Sequence, residues 1–340
     1  MISLPSLLAG SILASLILYA LLGGADFGGG VWNLLARGPR AGDQKRLIAE
    51  AIGPVWETNH IWLIVAVVVL FTGFPAAFAA VSTALFVPLT LLLIGIVLRG
   101  AAFAFHAYRL HDEDAGSLWG ILFATSSLAS PVLLGVTIGA ISSGRIAADP
   151  LSFTGSSASW FAPFPLAVGA LTLASFSYLA AVYLLHETED RDLREDFRRR
   201  ALGAAALVAL LSVLVPAVAK QGAPGFYRSL TGSGWSASIL VLNAAAALGA
   251  GVSLILSAHS AARLCAAAQV SLLLLGWGLA QFPYLVRPSL TVFAAASSPA
   301  TLRLLFLALA AGGVLLFPAV FLLFRVFKKE ALFGRRRLRP

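Results

Sequence analysis

"AIGPVWETNHIWLIVAVVVL", residues 51–70, decides how the rest of the chain is read. It has the apolar length of a membrane helix, yet Glu57, Asn59 and His60 fall within one turn of it, with Trp56 and Trp62 on either side. About 20 mostly apolar residues suffice to cross a bilayer. A charged side chain at the centre of such a span costs roughly 2.5–3.5 kcal/mol on insertion scales, so a span that keeps one points to function.

The rest of the chain agrees that lipid is its solvent. Of 340 residues, 59% are hydrophobic and 11% charged, and the mean hydropathy is +0.90. Soluble domains hold about 45–50% apolar and about 25% charged residues. The chain therefore reads as an all-α polytopic membrane protein, one membrane domain over residues 1–340. The net charge of +9 is no sign of nucleic acid as partner, because the basic residues sit between apolar runs and at the C-terminus. The single Cys265 rules out an intramolecular disulfide and a cysteine-ligated cluster built from this chain alone. The N-terminal apolar stretch has no basic leader and outlasts a signal peptide, which predicts a first span that is retained.

Nine segments qualify as spans, near residues 6–36, 50–70, 75–98, 118–142, 163–185, 202–219, 236–257, 261–282 and 302–327. The second and third are joined through "FTGFP", a hinge at Gly73 and Pro75. The expected arrangement is two four-helix bundles plus one peripheral helix. Placing the N-terminus in the periplasm leaves only Arg145, Lys220, Arg228, Arg287 and Arg303 of the 24 basic residues outside. The others gather in loop 37–49, after the third span, in loop 186–201, at Arg263 and in the tail 325–340, so these segments and the C-terminus are predicted to be cytoplasmic. The run "HETEDRDLREDFRRR", residues 186–200, pairs acids with bases four residues on (Glu187–Arg191, Asp190–Arg194, Glu195–Arg199, Asp196–Arg200) and reads as a helical extension of the fifth span. The basic tail reads as a topology determinant near anionic headgroups of the lipid bilayer.

Two intramembrane acids stand out. Asp26 lies in "GGADFGGG", residues 23–30, before the inner end of the first span, and Glu57 lies after the inner end of the second. The spans run in opposite directions, so both carboxylates fall in the inner part of the bilayer and are expected to face each other. The glycines around Asp26 strip side chains from the helix and let a neighbouring backbone approach. Glu57 and His60, three residues apart, share a face, with Asn59 beside it. Two carboxylates in low dielectric with an imidazole nearby make a proton relay that loads near neutral pH. The other reading is a hydrogen-bonded cluster that only locks two helices together. Arg99 reads either as a snorkelling residue at the inner end of the third span or as the counter-charge of the acids. His106, His111, His186 and His259 fall at span ends or in loops, and no pair of histidines brackets a haem. No P-loop, nucleophile elbow or zinc-binding spacing is present.

With "GADFGGGVW" (residues 24–32) and "AIGPVWETNHIWLI" (residues 51–64) on view, the chain resembles subunit II of the cytochrome bd quinol oxidases. The second motif is the specific one; "VLRGAAFAF" (97–105) and "QFPYLVRPSLTVFAAASSPATLRLLF" (281–306) match further family stretches in order. The resemblance implies a heterodimer in the bacterial cytoplasmic membrane, whose subunit I ligates haem b and haem d (or b) and oxidises quinol. Its subunit II stabilises that partner and is associated with proton uptake. A small single-span accessory subunit and a bound quinone or quinol go with the family, without residues here to assign to them. Carried over by position, Glu57, Asp26 and His60 form the proton pathway, with Asn59, Arg99, Trp56 and Trp62 as supporting partners. Ala104 stands where many members have Glu, and His106 where they have Arg, so a path through that Glu would be shortened or rerouted here. A proton-coupled secondary transporter and a purely structural scaffold are the rival readings.

Overall fold

A computed structural model describes residues 3–52, 56–108, 118–147 and 157–332. Among these, nine helices are long and apolar enough to cross a membrane. Arg109, His111, Gly53 and Pro54 of the second motif, and residues 333–340 of the basic tail lie outside the described residues.

The first span is α1 (Leu4–Leu34), opened by Ser3, whose side chain accepts the Ser6 N–H, and by Pro5 in its first turn. The second begins later than its hydropathy suggests. Residues 41–52 form a separate amphipathic helix, α2 (Ala41–Ile52), which buries Leu47, Ile48 and Ile52 and leaves Glu50 exposed. The crossing itself starts at Trp56, as a single turn α3 (Trp56–Asn59) followed by α4 (Ile61–Gly73). Most of loop 37–49 is thus helix, and Glu57 sits in the first turn of its span rather than well inside it.

The hinge after Gly73 forms as expected, with Phe74 between α4 and α5 (Pro75–Ala84). The third span, however, does not start there. Pro88 has no N–H for the Ala84 carbonyl, and the helix breaks at Leu85. The crossing is α6 (Phe86–Tyr108), and Arg99 lies well within it.

The helices α7 (Leu118–Ser143) and α8 (Pro163–Glu187) follow the expected bounds. The charged run does not extend α8. Asp190 caps a new helix, α9 (Arg191–Gly222), its Oδ1 accepting from the N–H groups of Asp192 and Leu193 at 2.8 and 3.0 Å. Of the anticipated pairs, Glu195–Arg199 forms at 2.9 Å. Asp196 turns instead to Arg40 and Gln44, each at 2.8 Å, while Arg200 donates to Gln44 at 2.6 Å. The folded-back α2 offers these side chains closer partners than their own helix does. The hydrogen bond to Asp196 holds the Arg40 guanidinium above its ordinary pKa. After α10 (Pro224–Gly232) come α11 (Ser236–Ile255), α12 (His259–Gln281), a small hairpin β1 (Tyr284–Val286) and β2 (Leu290–Thr291), and α13 (Pro299–Leu332).

Packing sorts the spans into two groups. In one, α1 lies on α4 and α7, and α6 on α7; in the other, α8 lies on α9 and α12, and α11 on α12. The seam is formed by α8 against α1 and α7. It is built from missing side chains: a Cβ on Gly28 would come 2.1 Å from the Phe176 carbonyl oxygen, and one on Gly135 2.6 Å from that of Val168. Only glycine lets these backbones approach so closely. Helix α13 touches α1 and α4, and its Leu302 and Leu305 enter a core shared with Val69, Ala77 and Val292. The segments assigned to the inside meet at one end of the bundle, where Arg40 reaches Asp196 and Arg198 reaches the Leu254 and Ile255 carbonyls. At the other end, Arg287 binds Ser229 and Ala280, and Ser297 binds Thr72.

Candidate functional site

The polar residues of the first three spans converge where α1, α3 and α6 meet. Asp26 is 5% exposed, Asn59 2% and Arg99 2%, so the cluster is closed to bulk water. The Asn59 amide donates to Asp26 Oδ2 at 2.7 Å, and Arg99 Nη2 donates to the Asp26 main-chain carbonyl at 2.8 Å. The Arg99 guanidinium lies over the rings of Phe27 and Phe123, 4.6 and 5.4 Å from their centroids. Arg99 is therefore no snorkelling residue. Its planar cation is held between aromatic faces, which stabilise it by cation–π attraction where water cannot.

The expected face-to-face carboxylates are not what this geometry provides. Glu57 is exposed, and Asn59 takes the place at Asp26. The reason is helix phase. Two residues advance about 200° around a helix, so a turn that aims Asn59 at α1 aims Glu57 away from it. His60, at the break between α3 and α4, shares a hydrogen bond of 3.3 Å between its Nδ1 and the Tyr19 hydroxyl. Tyr19, Phe27 and Trp56 surround its ring, with centroids 5.7, 6.0 and 6.3 Å away. Trp56 also packs on Gly100 and Phe103 of α6. Trp62 is buried in the same apolar core as Tyr19 and Phe27, and its ring meets Phe317 of α13 at 5.7 Å. Asp26, Asn59, His60, Arg99 and Trp56 thus come together, and the exposed Glu57 does not join them.

Sequence reasoning missed Tyr19, Phe27 and Phe123. Tyr19 had a usable signal, since it precedes Asp26 by seven residues, two turns along one face. The two phenylalanines had none among so many apolar residues.

A cleft of about 100 Å3 adjoins Asp26 and Asn59. Its lining holds no histidine, cysteine or methionine to ligate a haem iron. His186 and His259, which meet edge-to-face at the junction of α8 and α12, lie beside Arg194 and Arg198 rather than a slot for a porphyrin. Neither this cleft nor the His186–His259 pair offers a haem site.

The family model described as "Cytochrome bd terminal oxidase subunit II" matches residues 4–327. A cytochrome bd menaquinol oxidase subunit II of Bacillus subtilis, itself a putative one, is 22% identical over 349 residues, covering 98% of this chain and 99% of that protein. The cytochrome bd-I ubiquinol oxidase subunit 2 of Escherichia coli K12 is 26% identical over 177 residues, 51% of this chain and 46% of that one. The solved bd oxidase of Geobacillus thermodenitrificans contains a chain with the same fold, at a TM-score of 0.77 and 23% identity over 95% of this chain and 98% of its own.

Proposed function

Because the chain belongs to the cytochrome bd terminal oxidase subunit II family, we propose that it stabilises a haem-bearing subunit I and carries protons to it by way of Asp26. The complex is a quinol:oxygen oxidoreductase of the bacterial cytoplasmic membrane, a multi-pass assembly whose haem b and haem d (or b) are ligated by the partner. Quinol oxidation and oxygen reduction take place there.

One observation carries the proton role: a buried carboxylate, Asp26, whose Oδ2 is held by Asn59 at 2.7 Å beside a buried arginine. Arg99 supplies compensating positive charge, and Asn59 fixes the carboxylate's orientation. The Tyr19–His60 hydrogen bond places two further proton-bearing groups beside it. Glu57 serves a different surface. It is exposed in the first turn of its span, and Ile64, Val68 and Phe71 follow at helical spacing, all exposed. A carboxylate at the head of an apolar stripe suits a protein partner, and we assign this face to subunit I, with Glu57 handing protons across.

The test is turnover of the whole complex. Asp26→Asn keeps the Asn59 contact in shape and removes the titratable group, and is expected to slow quinol-driven oxygen consumption at least ten-fold with haem content unchanged. Glu57→Gln is expected to slow it less. Normal turnover in Asp26→Asn would leave only the helix lock.

A further inference from the structure

Asp26 and Asn59, both buried, line the cleft, whose other walls come from α2, α8 and α12 and which takes in the last residue of α8. At its mouth stand Glu187, the last residue of α8, and Arg263 of α12, with Ala25 and Leu184 in the wall. Glu187 is half-buried and Arg263 exposed, so the channel joins a wet rim to the closed cluster. Arg263 is held at the rim over the Tyr183 ring, 5.4 Å from its centroid. From Ala180 to Glu187, both in the lining, the helix rises about 10 Å, a length bridged by three or four waters about 2.8 Å apart.

The cleft suits water on two counts. A water needs roughly 10–15 Å3 of such space and two to four polar partners, and about 100 Å3 accommodates several. Asn59 provides a partner: its Nδ2 is committed to Asp26, while its Oδ1 is buried with no hydrogen bond from the protein. A buried acceptor left without a donor is unfavourable, and a water in the cleft relieves it.

We propose that this cleft is the inlet through which protons reach Asp26, entering between Glu187 and Arg263 and passing along a short file of water. The inlet rests on the reading of Asp26 as the proton-handling group. A proton delivered at the rim moves from water to water and ends on an Asp26 carboxylate oxygen, whose next transfer frees the group to accept again. The path lies inside this chain and does not use Glu57, which is exposed on another face. It also bypasses position 104, where alanine offers no carboxylate. The titratable and charged groups around this route are Tyr19 on α1, His60 between α3 and α4, Arg99 on α6, Tyr183 and Glu187 on α8, and Arg263 on α12.

The experiment fills the cleft from two walls in the whole oxidase complex, with Ala25→Leu on α1 and Ala51→Leu on α2, alongside Glu187→Gln at the mouth and Asp26→Asn at the floor. The expected result is a three-fold or larger loss of oxygen consumption in each filled variant at unchanged haem content. The deficit should widen from about pH 6 to about pH 8.5, where proton supply limits turnover, and Glu187→Gln should displace the pH profile. If Asp26→Asn is slow but both filled variants keep normal turnover and pH profile, the inlet is overturned and the relay stands. If Asp26→Asn is itself normal, relay and inlet both fall. Should one filled variant not assemble, the other and Glu187→Gln carry the comparison.

Discussion

Asp26 owes its surroundings to the phase of a single helical turn. With Asn59 rather than Glu57 turned inward, the buried site contains one acid, one amide and one arginine, an arrangement that leaves no like-charge pair in low dielectric. Hydrogen bonds to charged groups contribute about 1.5–3 kcal/mol in soluble proteins, but interhelical ones in membranes average about 0.6 and reach about 1.7. Asn59→Leu is therefore expected to destabilise the complex by about 1 kcal/mol, read from its unfolding midpoint in denaturing detergent, and to slow turnover as well. Arg99→Lys preserves the charge and loses both the planar stacking on Phe27 and Phe123 and the forked donors. Its thermal midpoint should fall close to that of Arg99→Ala; a midpoint equal to the unaltered protein would show that charge alone matters.

At the scale of elements, the helices are defined by their ends and by what they omit. Pro88 divides the third hydrophobic run, and Asp190 starts α9 where charge periodicity alone suggested continuity with α8. Replacing a capping Asp by Ala typically costs about 1 kcal/mol, so Asp190→Ala should speed amide exchange in the first turns of α9 and leave α8 unchanged. The α1–α8 seam makes a sharper prediction. Gly28→Leu would drive a side chain into the Phe176 backbone, whereas a Cβ on Gly10 would meet no atom within 4 Å. Gly28→Leu is expected to abolish recovery of the folded complex on size exclusion, and Gly10→Leu to leave the yield unchanged.

Over the whole molecule, one end is tied by charge and the centre by close packing. Arg40, Gln44, Asp196 and Arg200 link α2 to α9 in a partly exposed network, and exposed pairs of this kind are weakened by salt. Asp196→Ala should raise amide exchange in α2 several-fold without lowering the global midpoint, and high salt should reproduce the effect in the unaltered protein. The ninth span hangs on fewer contacts, Trp62 against Phe317 among them. The outer face of α13 exposes Val314, Leu315, Phe321 and Leu322, the surface expected of a helix whose neighbours are lipid or another subunit.

Much of this was legible in the chain itself. Nine spans, the hinge at Gly73, the close-packing glycines and the gathering of Asp26, Asn59, His60 and Arg99 all follow from apolar run length and from short motifs, which are local properties. The pairing within the cluster was not legible, because helix phase depends on a break at His60 and on which wall each turn meets. Nor were Tyr19, Phe27 and Phe123, since an aromatic residue in a span has no mark until another element places a cation or an imidazole against it. The same limit applies to Asp196, whose own-helix partner was plausible until α2 folded back beside it. The sequence determined that lipid surrounds this protein and that a few polar groups must be sheltered from it. Tertiary structure decided which of them touch, because burial, helix rotation and the space left between helices exist only once the helices pack.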